Sequence, residues 1–264
     1  MMRRWWGYLI VIAFLVAACS RPEPSKPRPL TIAAASDLKF ALDEAIRQFK
    51  SQHTDINVQP IYGSSGNFYT QITNNAPFDV FMSADMEYPH NLEKNGLVLN
   101  GTEFTYAVGQ IVVWTRNDSP LDVSRLGMQA LLDPSIKKIS IANPDHAPYG
   151  RAAVAAMQKF GVYDKVKEKL VMGENVTQAL EFIDSGTAQA GIVAMSLATA
   201  PNVSSRGKYF EVPLDSYPRM DQGGVILKNV RDRQAAEQFR TFILSPECRA
   251  IFKQFGFSLP EESR

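Results

Sequence analysis

Four short stretches of this chain place small or hydroxyl-bearing residues directly ahead of an amphipathic helical pattern. They are Ala35-Ser36-Asp37, Gly63-Ser64-Ser65-Gly66, Pro148-Tyr149-Gly150 and Glu174-Asn175-Val176. Ser36, Ser64, Ser65, Tyr149, Asn175 and Val176, the candidate residues at these corners, carry no positive charge. What each corner offers is backbone: the first N–H groups of a helix lack an intrahelical acceptor, and the terminus acts like roughly +0.5 of a charge. A strand running into a helix in this way makes an anion site. Four together approach the charge of a dianion, which suits a small tetrahedral oxyanion held by neutral donors without Lys or Arg. Ser36 alone could equally cap its own helix; repetition of the corner is what argues for a shared ligand.

For such corners to meet, each must follow a strand. Residues 30–50 open with a short apolar run and continue with Leu38, Ala41, Leu42, Ala45, Ile46 and Phe49, a helical i, i+3, i+4, i+7 stripe. Residues 56–61 and 78–82 predict further strands, followed by helices that carry Phe68 and Ile72 and that span 86–94. The long extended run 104–115 is expected to cross between lobes. A second set then begins: strand 139–142, turn 143–150, helix 151–160, strand 170–172, and Asn175-Val176-Thr177-Gln178 in the form of a capping box. Strands at 190–194 and 209–212 follow, Asp221-Gln222-Gly223-Gly224 marks a return crossing, and helices at 233–244 and 247–255 close the chain. Alternating strands and helices predict an α/β fold with largely parallel sheets, whose ligands sit at the carboxyl ends of strands. No internal repeat of fixed period is visible.

Composition narrows the function. The chain has 264 residues, 45% hydrophobic and 21% charged, with formal net charge +1, which fits one or two globular domains. No Lys/Arg cluster stands out beyond the first residues, so nucleic acid is not an expected partner. At the N-terminus, Arg3 and Arg4 precede an apolar stretch at 8–16, and Val16-Ala17-Ala18-Cys19 resembles a bacterial lipobox, at which the cysteine is lipidated and the preceding peptide removed. Removal of residues 1–18 leaves 26 basic against 27 acidic residues, or −1. Residues 20–29 hold four prolines and no large apolar side chain, the composition of a semi-rigid tether. With Cys19 lipidated, Cys248 has no partner for a disulfide and is expected to be a buried, inert thiol. His53, His90 and His146 are scattered without ligand spacing. A hydrolase is the weaker alternative. Gly63-Ser64-Ser65-Gly66 lacks both the Gly-x-Ser-x-Gly spacing and the P-loop lysine, and His146, between prolines, reads as a turn residue.

Ala33-Ala34-Ala35-Ser36, Gly63-Ser64-Ser65-Gly66, the run 78–85, the run 142–150, Glu174-Asn175-Val176, Gly191-Ile192-Val193 and Phe255-Gly256-Phe257 occur in this order and spacing. Together they resemble the periplasmic molybdate-binding proteins of ABC transporters, from about Leu30 to Pro260. The resemblance implies a two-lobed, type II periplasmic-binding-protein-like fold with the ligand in the cleft. It divides the chain into signal peptide 1–18, tether 19–29, first lobe 30–106, second lobe 107–222 and a return to the first lobe at 223–264. It also implies that Ser36 and Ser65 give hydroxyl and backbone donors, and that Tyr149 and Val176 give backbone donors. Asp37, Ser64 and Asn175 are additional candidates. The ligand would be molybdate or tungstate, with no cofactor and no metal except the one inside the oxyanion. The protein would be a monomer rather than an enzyme, exported, lipid-anchored through Cys19 facing the periplasm or cell exterior, and served by an ABC permease and its ATPase. A sulfate or phosphate receptor is the alternative. Two positions depart from the pattern. Ala194 stands where some members carry a tyrosine hydroxyl, and Asp37 would repel an anion unless its side chain turns out along the helix.

Cys19→Ala is expected to release the protein from membranes or to block its processing. Fractionation of cells checks this, and a variant that pellets with membranes as the parent does would refute the lipobox.

Overall fold

Two facing strand–helix sets build the structure, a computed structural model that describes residues 28–262. The lipobox with Cys19, the signal peptide and tether residues 20–27 lie outside the described residues. In the first lobe, β1 (Leu30–Ala35) leads through a 3-10 turn at Ser36–Leu38 into α1 (Lys39–Gln52). Then come β2 (Val58–Gly63), α2 (Ser65–Thr73), β3 (Val80–Ser83), α3 (Glu87–Lys94) and β4 (Phe104–Gly109). The second lobe holds β5 (Ile111–Arg116), α4 (Val123–Leu126), β6 (Ile139–Ala142), α5 (Pro148–Lys159), α6 (Tyr163–Val166), β7 (Leu170–Gly173), α7 (Val176–Asp184), β8 (Ala190–Ala194), α8 (Met195–Ala198), α9 (Pro201–Ser204) and β9 (Gly207–Glu211). The chain returns to the first lobe with β10 (Met220–Ile226), α10 (Arg233–Ile243) and α11 (Pro246–Gln254).

The sheets share one plan. The first runs β2-β1-β3-β10-β4 and the second β7-β6-β8-β5-β9. In each, three parallel strands come from a β-α-β-α-β run, and an antiparallel strand from outside that run joins the third: β10, from near the C-terminal end, in the first sheet and β5, from just before the run, in the second. The sheets are therefore mixed rather than largely parallel. β4 and β10 pair from Met220 opposite Gly109 to Gly224 opposite Phe104, with a bulge at Gln222/Gly223. The first sheet thus runs on to Gly109 and resumes at Met220, a few residues from the boundaries drawn at 106 and 222. Gln110 and residues 212–219 make the crossings. Asp221-Gln222-Gly223-Gly224, expected as the return crossing, is already strand of the first sheet, and the small residues serve close packing. A side chain at 224 would meet the Phe104 ring at 2.5 Å and the Phe81 carbonyl oxygen at 2.8 Å.

Burial follows the sequence pattern. β1 is buried at all but one residue, as a strand covered on both faces must be. Helix α1 buries Ala41, Leu42, Ala45, Ile46 and Phe49, and the Phe49 ring packs against Phe239 and Phe242 of α10, each with its centroid 5.4 Å away. Cys248 is buried in α11, and burial pushes its thiol up to about 12, so it stays protonated. Among the described residues, no helix is long and apolar enough to cross a membrane.

One buried acid ties the lobe's edges. Asp79, 1% exposed, accepts from the Thr31 N–H at 2.7 Å and from Arg231 Nη2 at 2.6 Å, so it joins β1, β3 and the approach to α10. Asp79→Ala is expected to destabilise the protein by about 2–4 kcal/mol, because it strands the Thr31 and Arg231 backbone N–H groups that the carboxylate accepts from. Arg231→Ala, at a half-exposed position, should cost only about 1 kcal/mol. Urea unfolding of both variants checks the order; equal losses would refute it.

Candidate anion-binding site

The parallel strands of both sheets end at the cleft, and a helix starts beyond each. Ser36 follows β1, Ser65 opens α2 after β2, Tyr149 lies in the first turn of α5 after β6, and Val176 opens α7 after β7. All four line one small cavity together with Ala35, Asp37, Gly63, Ser64, Ala84, Ala147, Pro148 and Asn175. Its volume is about 10 Å³, room for about one water-sized group, so the lobes stand shut on it. No Lys, Arg or His lines it. Larger hollows, about 370 Å³ beside Gln52 and Glu237 and about 360 Å³ beside Asp85 and Arg219, lack this convergence of helix starts.

Local chemistry fixes how each corner points. Helix α5 begins at Pro148, three residues earlier than the sequence pattern suggested, because proline at N1 needs no hydrogen bond and arrives with helical φ. Tyr149 therefore has a first-turn N–H free of any intrahelical acceptor. Asn175 caps α7 by accepting from the Thr177 and Gln178 N–H groups at 3.0 and 3.1 Å. The Gln178 side chain reaches the Glu174 N–H at 2.7 Å, one residue short of a full capping box. Ser64 caps α2 by accepting from the Asn67 N–H at 3.3 Å. The Ser64 hydroxyl and the Asn175 side chain are thus engaged in capping.

Ser36 and Ser65 differ from these caps. Ser36 caps nothing: no side-chain cap bond exists at the start of α1, and its Oγ accepts instead from the Thr177 N–H across the cleft at 3.4 Å. Ser65 Oγ accepts from the Ala84 N–H at 3.0 Å. Each hydroxyl has a lone pair occupied by a backbone donor, which leaves its proton available to a ligand. Ala194 ends β8 and carries no donor, but the next turn supplies Ser196, whose hydroxyl donates to the Asp37 carbonyl at 2.8 Å.

Asp37 does not turn out along the helix. It is 1% exposed, and its Oδ2 accepts from Gln222 Nε2 at 2.7 Å and from the Tyr149 hydroxyl at 3.0 Å. Asp37 Oδ1 and Gln222 Oε1 are buried without a hydrogen-bond partner. Burial raises the carboxyl to about 6, against the opposing pull of Gln222 and Tyr149. The outward rotamer fails because Tyr149 from the second lobe and Gln222 from β10 close over the residue. Gln222 is the site neighbour that sequence reasoning missed; in the sequence it reads only as part of the return crossing.

The lobes meet through the same corners. Thr177 Oγ1 donates to the Ser36 carbonyl at 3.0 Å, and the Gly66 N–H donates to the His146 carbonyl at 2.9 Å. His146 Nδ1 lies 2.8 Å from Ser64 Oγ, so the histidine, in the turn expected for it, also joins the lobes. Arg151 of α5 donates to Asp85 at 2.5 Å and to the Tyr88 hydroxyl at 3.2 Å, adding a charged clasp. Away from the cleft, His90, taken as isolated, stands with Glu93 and Glu103, one ligand atom from each within 4.8 Å of the others, on partly exposed surface.

A family profile described as bacterial extracellular solute-binding protein matches residues 30–258. The chain is 38% identical over 208 residues to the molybdate-binding protein ModA of Rhodobacter capsulatus, covering 79% of each chain. It is 36% identical to the molybdate-binding protein ModA of Azotobacter vinelandii, covering 86% of this chain and 89% of the relative. The solved structure of the Azotobacter vinelandii periplasmic molybdate-binding protein superposes with a TM-score of 0.82 at 33% identity, covering 88% and 99% of the two chains.

Closure leaves no room at Gly66. A side chain there would meet the His146 carbonyl oxygen and the Tyr88 hydroxyl, each at 2.6 Å. Gly66→Ala is expected to hold the lobes apart while each stays folded, weakening oxyanion affinity by roughly fivefold to a hundredfold, the equivalent of about 1–3 kcal/mol of overpacking. Small-angle scattering under saturating oxyanion should show a larger radius than the parent. An equally compact variant with parental affinity would refute closure through this contact.

Proposed function

Because the chain belongs to the bacterial extracellular solute-binding proteins, we propose that it captures molybdate, or the closely similar tungstate, outside the cytoplasm and delivers it to an ABC permease with its ATPase. One observation carries this: Ser36, Ser65, Tyr149 and Val176, from two lobes, converge on one cavity without a Lys or Arg in its wall. Such a wall offers donors from helix starts and hydroxyls, matched to an anion that only accepts. The names of the most similar relatives support molybdate among such anions.

Charge state separates the candidate ligands. Molybdate, tungstate and sulfate are proton-free dianions near neutral pH, whereas phosphate keeps a proton that needs an acceptor or is buried unpaired at about 1–3 kcal/mol. Sulfate has shorter bonds and reaches fewer donors spaced for a larger tetrahedron. Catalysis is not part of the proposal. Ser64 and His146, the nearest pair to a nucleophile and base, are engaged in capping α2 and in joining the lobes. In the same reading the mature protein is a monomer, Cys19 carries lipid, and the proline-rich tether holds the two lobes clear of the membrane.

Calorimetry of the purified protein is expected to show tight binding of molybdate and tungstate and weak binding of sulfate and phosphate. Ser36→Ala and Ser65→Ala should each weaken molybdate binding by about tenfold to a hundredfold, since a hydrogen bond to a charged partner contributes about 1.5–3 kcal/mol. Val176→Ala keeps its N–H and should lose much less. Phosphate bound as tightly as molybdate, or equal losses at Ser65 and Val176 with the fold intact, would overturn the assignment.

A further inference from the structure

We propose that Asp37 occupies the closed, loaded cleft as a neutral acid, so that each oxyanion captured draws one proton into the site with it. This rests on the oxyanion-receptor reading above and adds to it a second ligand, the proton. An acid is the least expected side chain beside a dianion. Yet Asp37 follows Ser36 directly, lines the same cavity and is 1% exposed.

Hydrogen bonding locates the proton. Oδ2 already accepts from Gln222 Nε2 and the Tyr149 hydroxyl, so a proton on this carboxyl belongs on Oδ1, the buried oxygen without a partner. A protonated Oδ1 is a donor, and the only acceptor a molybdate-filled cavity adds is the anion itself. Turning the Gln222 amide over would let its equally partnerless Oε1 accept from a protonated Oδ2. That arrangement, too, requires a neutral carboxyl.

The surroundings favour a carboxylate only through neutral donors, Gln222, Tyr149 and the nearby backbone N–H groups of Asp37 and Leu38, and burial outweighs them. Tyr149 faces Asp37 from α5, Gln222 from β10, Ser196 from α8 and Thr177, through Ser36, from α7. Tyr106 of β4 lies near, its hydroxyl donating to the Ser83 carbonyl, with Asp85 beyond it. Lys39, two residues on, holds its ammonium over the Phe40 ring at 5.9 Å from the centroid. Burial, with Asp37 alongside, keeps the Tyr149 and Tyr106 hydroxyls far above their usual range, so both stay neutral. Among the described residues, no Lys, Arg or His side chain is hydrogen-bonded or ion-paired to Asp37. An ionised Asp37 and a dianion would then repel across one buried cavity, and protonation removes that repulsion.

The direction of the pH effect follows. Burial, against the opposing pull of its hydrogen bonds, raises the closed-state carboxyl to about 6, above its usual 3.8, and a dianion alongside pushes it further the same way. The closed, loaded form therefore holds a proton that the open form, with Asp37 in water, has lost. Its advantage is complete below the open-state value and is lost as pH rises through the closed-state value.

The test is calorimetry of molybdate binding between about pH 6 and 8, where molybdate is a proton-free dianion, in buffers of different ionisation enthalpy. The parent is expected to take up close to one proton per molybdate, with affinity falling about tenfold per pH unit over the part of this range below the loaded-state value. Asp37→Asn mimics the neutral acid permanently. It should take up no proton and bind with pH-independent affinity, while scattering shows the same closure. Tight molybdate binding by the parent without proton uptake, or uptake that persists in Asp37→Asn, overturns the proposal and leaves the receptor reading standing. Tight phosphate binding that Asp37→Asn abolishes would show an ionised acceptor instead and overturn both. No oxyanion binding by the parent would sink the receptor reading, and the proposal with it.

Discussion

An anion leaves water only where donors already point at the place it will occupy, and the cavity between the lobes gathers helix starts and hydroxyls with, among the described residues, no Lys, Arg or His in its wall. That requirement accounts for the arrangement of both lobes. Helix starts must converge, so the strands feeding them must end together, and a trio of parallel strands in each sheet achieves this. Within the corners, Pro148 starts α5 early enough to place the Tyr149 N–H in the first turn, while Asn175 and Ser64 cap neighbouring helices. Ser36 and Ser65 remain uncommitted as donors because backbone N–H groups occupy their lone pairs.

Closing the cleft and forming the site are one event. The bond from Thr177 to the Ser36 carbonyl, the bond from Ser196 to the Asp37 carbonyl and the contact of Gly66 with His146 all run between residues at or beside the corners. A ligand shifts a conformational equilibrium only by its difference in affinity for the two states. Here that difference is built in, since an anion touching one lobe alone meets only part of the donor set.

The Asp37, Tyr149 and Gln222 cluster places one member in the first lobe, one in the second and one on β10 beside the crossing. Buried polar networks are strong when satisfied and costly when not. Two of its oxygens are unsatisfied, which makes the cluster sensitive to whatever enters the cavity, be it a proton or an anion. Arg151 with Asp85 and Tyr88 holds the other side of the cleft with charge, where exposure softens the dependence on any single group.

Local chemistry was legible in the sequence alone: the α1 stripe from Leu38 to Phe49, the glycine-flanked serines, the Asn175 cap and the strand–helix alternation all depend on residues within a turn or two of one another. The family resemblance added which corners belong together. Tertiary structure decided what depends on residues far apart. The two lobes share one sheet plan although the sequence shows no repeat, because the antiparallel strand of each sheet comes from a different part of the chain. Gln222 reads as part of a crossing until β4 pairs with it, and His146 as a turn residue alone until α2 brings Ser64 to it. Asp37 reads as a surface acid because its neighbours in sequence leave it a path to water. Tyr149, 112 residues away, and Gln222, 185 residues away, close that path. Burial, and with it the charge the carboxyl can carry, is set by those distant groups.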